Sequence, residues 1–558
     1  MRGQIGTEGT TARDEGTPAG AASGTWVYAF GAGLGEGGGD SVEQLGGKGA
    51  GLAEMARLGI PVPPGFTIVA EACRHHLVAG TPPPGLREQL HTALRRLEGQ
   101  TGGRLGDQRL PLLVAVRSGS RASMPGMMDT VLNLGLNDAT VEGLAARAGD
   151  ARFAYDCYRR LIQTYAHVVF GVGGHHFEAL LDDYKERRSR AHDADLGAED
   201  WRRIVALFHD EVRRRAGRAF PQDPAEQLHE AIGAVFRSWT NPRAVTYRAL
   251  HGIPDDWGTA VTVQNMVFGN LDGESGTGVA FTRDPSTGEP GLCGEFLPRA
   301  QGEDVVAGMR TPSPLASLEA RQPAAFARLR EVAVRLERHF GDMQDIEFTV
   351  QGGELFILQT RAGKRSAAAA VRIATDLVRE GIIRRDMAVR RVDSSILAGL
   401  LRPVLAPGAE RTVLATGLSA SPGAACGAVA FTSEDAVRLA ENGKAVVLCR
   451  PETSPEDIHG MQAACGIVTT RGGFTSHAAT VARGMGRPCV VGTRGLRIDA
   501  VRGELTTAEG VVVRAGDIVT IDGSTGQVVL GAVPMVKPEP SGPATLLLSW
   551  AAELGVTM

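Results

Sequence analysis

The sequence predicts a multidomain α/β protein of α+β character, on three observations. Short β-like runs alternate with helices from Thr25 to about Arg365, a helical stretch with recurring aromatics interrupts them, and a second compact unit of strands and Gly turns follows from Leu414 to Val533. The chain has 558 residues, room for three or four domains of roughly 150 residues each.

The elements follow in order. Residues 1–24, rich in Gly, Thr, Ala and Glu, cannot bury a core and are expected to form a disordered tail. Leu113–Arg117, Ala260–Gln264 and Ile346–Val350 read as strands, and Leu355–Gln359 pairs with the last of these through a Gly352-Gly353 turn. Ala151–Arg190, Arg202–Arg215 and Pro224–Thr240 carry helical periodicity, so a helical subdomain over about 140–240 sits inside the first unit, 25–365. Aromatics in it recur at three- and four-residue spacing, a helix core rather than a ligand cage. Ser366–Arg391 reads as one amphipathic helix that opens a helical linker, 366–413. Within 414–533, Gly427–Phe431, Ala445–Cys449, Gly466–Thr469 and Asp517–Ile521 read as strands, and 534–558 as a Pro-rich linker with one short helix.

A net charge of −4 argues against a nucleic-acid-binding surface. Seven scattered cysteines with no C-x-x-C pair form neither a disulfide framework nor a zinc site and point to a reduced, cytoplasmic chain. No apolar run approaches membrane-spanning length, and the N-terminus lacks the apolar core of a signal peptide. Neither a membrane nor a nucleic acid is expected as a partner.

The string Gly472–Gly486, GGFTSHAATVARGMG, places His477 after a Gly-Gly turn and two hydroxyl residues, and before an alanine-rich helical run. Small neighbours let a bulky phosphorylated partner approach, and a helix starting near His477 directs backbone N–H groups at an anion. That setting suggests a phosphohistidine carrier; the alternative is a satisfied core histidine at a helix start.

Three clusters in the first half bear on chemistry. Leu45–Gly51, LGGKGAG, resembles a P-loop only superficially and leaves a glycine-flanked Lys48, either a point charge for a phosphate or a plain turn. Val116–Thr130 delivers Arg117 into a Ser- and Gly-rich loop able to offer hydroxyls, N–H groups and a bidentate fork to phosphate oxygens. Asp345 and Glu347 share one face of a predicted strand, as Gln359 and Arg361 do on its partner. Paired carboxylates suit Mg²⁺, a hard cation that bridges to nucleotide phosphates. A solvated strand face is the alternative.

Together these segments resemble the pyruvate, phosphate dikinase family of enzymes that use phosphoenolpyruvate. Gly46–Ile68, Val116–Asn137, Gly258–Pro312, Met343–Arg365 and Arg450–Gly492 follow its pattern nearly residue for residue. Phe474, Thr480 and Gln462 stand where the family more often has Met, Val and His, and none of these removes a charge or nucleophile.

The resemblance implies an ATP-grasp nucleotide-binding domain with a helical insertion, followed by a swivelling β/β/α phosphohistidine domain. It implies that Lys48, Arg117 and Gly126 bind ATP, that Asp345 and Glu347 hold Mg²⁺ with help from Gln359, and that Arg361 acts on the transferring phosphoryl group. His477 is then the phosphorylated nucleophile. Mg·ATP and inorganic phosphate give AMP, pyrophosphate and phospho-His477, with the phosphoryl group passed to pyruvate or another small acceptor. Thr475, two residues before His477, matches the regulatory switch threonine of some relatives; capping the following helix is the alternative.

The family's full-length members continue into a (β/α)8 barrel, about 250 residues, that binds pyruvate or phosphoenolpyruvate. This chain reaches Met558 where that barrel would begin, so a short form without it is expected. Three variants of the reading follow: a dikinase whose barrel is a separate protein, a phosphotransferase for another hydroxyl acceptor, and a non-catalytic nucleotide-binding regulator.

Overall fold

The computed structural model describes residues 24–37, 41–124, 126–190, 192–306, 312–400, 402–539 and 542–556. The expected tail, residues 1–24, lies outside them except for Gly24.

Two antiparallel sheets make the first unit. One runs in the spatial order Leu34–Gly35, Val27–Gly31, Gly65–Ile68, Ala260–Asn265, Val114–Gly119, Thr130–Leu134. The other runs Glu354–Ala362, Gln344–Gln351, Gly276–Arg283, Pro290–Pro298, Ser313–Pro314. The strand Gly276–Arg283 is buried along its whole length, so the second sheet is covered on both faces. Helix Pro323–Phe340 packs Leu329, Val332 and Leu336 against Ile346, Phe348 and Phe296 on one of them. The helical insertion holds Ala151–Phe170, His175–Arg187, Ala198–Ala216 and Pro224–Arg237. The single helical run expected over Ala151–Arg190 is two helices, because the chain breaks at Gly171, Gly173 and Gly174 between them.

Ser366–Arg391 is likewise two helices, Ala367–Arg379 and Arg385–Arg391, not one. Gly381 adopts φ +71, a left-handed position that stops a helix at little cost only for glycine. These helices pack Ile373, Leu377 and Val389 with Val279 and Phe281 of the second sheet. The C-terminal helix Pro543–Glu553 adds Leu547 and Trp550 to the same cluster.

The third sheet, of eight strands, forms the second unit. Ala424–Ala430, Val446–Arg450, Gly466–Thr469 and Cys489–Val491 are parallel neighbours at its centre. Antiparallel strands close both sides. The chain enters and leaves this unit side by side: Val404–Leu405 pairs antiparallel with Met535–Val536, and Ala406 N–H donates to Pro534 O at 2.9 Å.

Arg283 ties the linker to the second sheet. It is 2% exposed and forks onto Glu337 of Pro323–Phe340 at 2.7 Å and onto Glu380, at the end of Ala367–Arg379, at 2.6 Å. Removing one carboxylate leaves a buried guanidinium short of its partner. Glu337→Ala is therefore expected to cost about 3–5 kcal/mol, read as a lower urea midpoint for the first unit; an unchanged midpoint contradicts it.

Candidate active site

The Asp345/Glu347 hairpin forms in the register that places its four polar side chains together. Asp345 lies directly opposite Arg361 and Glu347 opposite Gln359 across Gln344–Gln351 and Glu354–Ala362. Arg361 Nε donates to Asp345 Oδ2 at 2.8 Å, and its Nη2 lies 3.7 Å from Glu347 Oε1. Burial pushes the Asp345 carboxyl up, with Arg361 working against it and Glu347 reinforcing it. Burial disfavours the Arg361 charge, yet the two carboxylates hold it well above its ordinary value.

Asp345 Oδ1 is buried without a partner among the described residues. Two carboxylates, one with an orphaned oxygen, and a facing carboxamide are the hard-oxygen set that suits Mg²⁺, which usually keeps waters and phosphate oxygens as its other ligands. No group of three or more His, Cys, Asp or Glu able to hold a metal occurs among the described residues. An all-protein cage is therefore not what this hairpin offers.

Lys48 is not on a turn. It sits near the start of the second half of helix Val42–Arg57, which kinks at Gly46. Gly46 has φ +66, and a Cβ there would lie 1.8 Å from Gly119 O, so only glycine fits against the strand Val114–Gly119. The kink turns Lys48 toward that strand, where Nζ donates to Ser118 O at 2.8 Å. Burial, reinforced by the Arg117 and Arg361 cations against the pull of Glu347, lowers its pKa to about 7. Arg117 stands on the same strand, opposite Thr130 and Thr262.

His477 is the first residue of helix His477–Met485, as its setting predicts. Thr453 Oγ1 lies 3.0 Å from its Nδ1, while Nε2 is shut off from solvent with no partner among the described residues. A neutral imidazole carries one proton. With the proton on Nδ1 the ring donates to Thr453 Oγ1 and Nε2 is a bare lone pair. With the proton on Nε2 the Thr453 hydroxyl donates to Nδ1 and a buried N–H is left without an acceptor, the rarer kind of orphan in protein interiors. The geometry thus favours a lone pair on Nε2. Burial lowers the His477 pKa to about 4, outweighing the opposite pull of Asp457 and Glu456.

The two units meet at this histidine. Glu295, on Pro290–Pro298, accepts Phe474 N–H at 2.5 Å and both Thr475 N–H, at 3.1 Å, and Thr475 Oγ1–H, at 2.5 Å. A Cβ on Gly473 would lie 1.9 Å from Glu295 Oε1, so the Gly-Gly turn is what lets the carboxylate in. Arg243 of the first unit reaches Glu456 of the second at 3.2 Å. A Cβ built on Gly126 would lie 2.8 Å from Pro455 Cγ and 3.7 Å from His477 Cδ2, which puts the Arg117 loop against the histidine.

One cavity of about 2090 Å³ is lined by all nine expected residues: Lys48, Arg117, Gly126, Asp345, Glu347, Gln359, Arg361, Thr475 and His477. Sequence reasoning did not single out Glu295, Thr453 or Arg483. Thr453 and Arg483 sit in the Arg450–Gly492 segment and Glu295 in Gly258–Pro312, but no spacing signal marks Glu295, whose partners lie 179 and 180 residues away. Thr475 neither caps the helix, whose N-cap is Ser476, nor stays within its turn.

Because burial favours the neutral ring, His477 should show no protonation between about pH 8 and 5.5, its transition falling near 4. The unfolded ring, with a pKa of about 6.5, takes up a proton first, so this contribution to stability is full above about 6.5 and lost as pH falls toward 4. NMR of ¹³C-labelled histidine measures it; a His477 transition near 6.5 contradicts it.

Comparison with known proteins shows the family. Residues 42–88, 79–325 and 314–381 match the family described as "Pyruvate phosphate dikinase, AMP/ATP-binding domain". Residues 443–526 match "PEP-utilising enzyme, mobile domain". The chain is 55% identical over 539 residues to a pyruvate, phosphate dikinase of Rhizobium meliloti, and 50% identical over 532 residues to that of Clostridium symbiosum. It is 49% identical over 531 residues to pyruvate, phosphate dikinase 2 of Zea mays. These alignments cover 94%, 94% and 95% of this chain and 60% of each relative, so the chain spans about 60% of the length of the curated relatives it matches. No helix among the described residues is long and apolar enough to cross a membrane. The chain belongs to the pyruvate, phosphate dikinase family.

Proposed function

We propose that this chain carries the nucleotide half of a pyruvate, phosphate dikinase-type phosphotransfer, an enzyme reaction with His477 as the phosphoryl carrier. The observation that supports it most is one cavity lined both by His477 of one unit and by Lys48, Arg117, Asp345, Glu347 and Arg361 of the other. ATP fits the apolar space between the two sheets with its purine near Ala115, Leu132, Met266 and Leu358. Its phosphates then reach the cations. Asp345, Glu347 and Gln359 would hold Mg²⁺, which supplies charge neutralisation when bound.

The Nε2 lone pair attacks the β-phosphorus, the bond from that phosphorus to the α,β-bridging oxygen breaks, and AMP leaves with the electron pair. The proton on Nδ1 stays, its charge shared with Thr453 Oγ1. An oxygen of inorganic phosphate then attacks the γ-phosphorus, and cleavage of the β,γ-bridge gives pyrophosphate and phospho-His477. Lys48, Arg117 and Arg361 offset the charge that accumulates. The uncapped N-terminal N–H groups of His477–Met485 favour an anion beside the ring.

Pyruvate or another small hydroxyl-bearing acceptor takes the phosphoryl group at a site that the described residues do not form, since none of their sheets closes into a (β/α)8 barrel. Seven free thiols favour a reducing, cytoplasmic setting.

Incubation with β-labelled Mg·ATP tests the reading. The label should appear on His477, be lost in His477→Ala, and fall by about a thousandfold in Glu347→Gln and Arg361→Ala. Labelled AMP should exchange into ATP when phosphate and pyrophosphate are present. Label elsewhere, or near-normal labelling of either hairpin variant, overturns the assignment.

Thr475 is proposed as a regulatory phosphorylation site. Its hydroxyl is bonded to Glu295, so a phosphate of about −1.5 to −2 charge would face that carboxylate and undo the contact between the units. Thr475→Asp should slow labelling of His477 on the order of tenfold or more, by a lost buried hydrogen bond plus repulsion. Labelling as fast as in the parent would sink the switch.

A further inference from the structure

Arg483 lies six residues after His477 on the same helix and is 3% exposed. Its Nη1 donates to Ala420 O at 3.0 Å and its Nη2 to Phe474 O at 2.8 Å, while Nε has no partner among the described residues. Its guanidinium carbon stands 5.8 Å from the ring of Phe281, in the other unit, and 5.8 Å from that of Phe474. Phe281 is directly opposite Asp345 on neighbouring strands, and Asp345 is opposite Arg361 on the next. Cross-strand neighbours project to one face. Arg483 is therefore laid against the face that presents Asp345 and Arg361, and it lines the same cavity.

Two carbonyl bonds do not explain a full charge here. Neutral donors could satisfy both carbonyls, and a buried cation without a compensating anion is costly. The carboxylates that act on Arg483 are Asp345, Glu295 and Asp284, and all three belong to the nucleotide-binding unit. A phosphoryl group in transfer at the Asp345 and Arg361 face would develop its extra negative charge beside this cation.

We propose that Arg483 is a cation that the phosphohistidine unit contributes to the phosphate-transfer centre, so that nucleophile and charge neutralisation arrive on one helix. Arg483 neither gives nor takes a proton. It opposes the negative charge that accumulates on the phosphoryl oxygens as the β-phosphorus leaves the bridging oxygen for Nε2. The proposal rests on His477 as acceptor and deepens that reading.

The test is single-turnover labelling of the full chain by β-labelled Mg·ATP. Unlabelled His477 in the parent would overturn the proposed function before Arg483 is reached. With the parent labelled, Arg483→Gln should slow the step about a thousandfold, the scale of an arginine supplied in trans. Half-saturation by ATP should shift less than about twofold, because the contact is made in the transition state. Arg483→Lys restores the charge but cannot bridge both carbonyls, and should run at least about tenfold faster than Arg483→Gln. Equal rates for the two, or near-parent rates for Arg483→Gln, overturn the proposal. Phe281→Leu guards against misfolding, which melting curves report. It leaves both carbonyl bonds and the Phe474 ring in place, removes the ring that the other unit sets beside the guanidinium, and should slow labelling about fivefold. If Arg483→Gln does not fold, an unchanged rate in Phe281→Leu overturns the proposal.

Discussion

The meeting of the two units depends on one carboxylate. Glu295 accepts two backbone N–H groups and a hydroxyl from Phe474 and Thr475, the residues immediately before Ser476 and His477. A carboxylate accepting several donors in a confined space is among the stronger polar contacts a protein makes. It is specific in direction as well, because the donors belong to consecutive residues of a tight turn. Gly473 makes the approach possible, and any side chain there would occupy the space of Glu295 Oε1. The position of His477 over the Gly126 loop follows from this contact and from the Arg243–Glu456 pair beside it.

The electrostatics of the cavity are arranged around that meeting. Lys48, Arg117 and Arg361 crowd one wall and lower the proton affinity of the lysine, while Asp345 and Glu347 keep Arg361 charged. Like charges this close raise one another's cost, and in the proposed reaction a phosphate chain would offset it beyond what Asp345 and Glu347 supply. His477 stays neutral through burial. For the proposed reaction, a neutral His477 and cations poised for negative charge would be complementary conditions for attack on a polyphosphate.

Much of this was legible in the sequence where the information is local. The Asp345/Glu347 and Gln359/Arg361 pairs could be placed on one face because strand periodicity is two, and a Gly-Gly turn set the hairpin. The helix start at His477 was legible from its flanking residues. Helix continuity was harder: Ser366–Arg391 keeps its periodicity across Gly381, and only the backbone conformation shows the break. Lys48 looked like part of a turn because helix and kink share the same glycines. Glu295, Thr453 and Arg483 act through partners in other elements or in the other unit, and no local pattern marks such contacts.

The antiparallel pairing of Val404–Leu405 with Met535–Val536 bears on how the phosphohistidine unit can travel. Two separate flexible connections would allow a tethered body to tumble about many axes. Here both connections pass through one short ladder, so bending either bends the other. Any swing of the unit would then be held to an arc about that ladder, as a door is held by its hinge. An arc would return its rim to the same place on every pass, which would suit the proposed carrier, whose reacting nitrogen has to meet a fixed cleft.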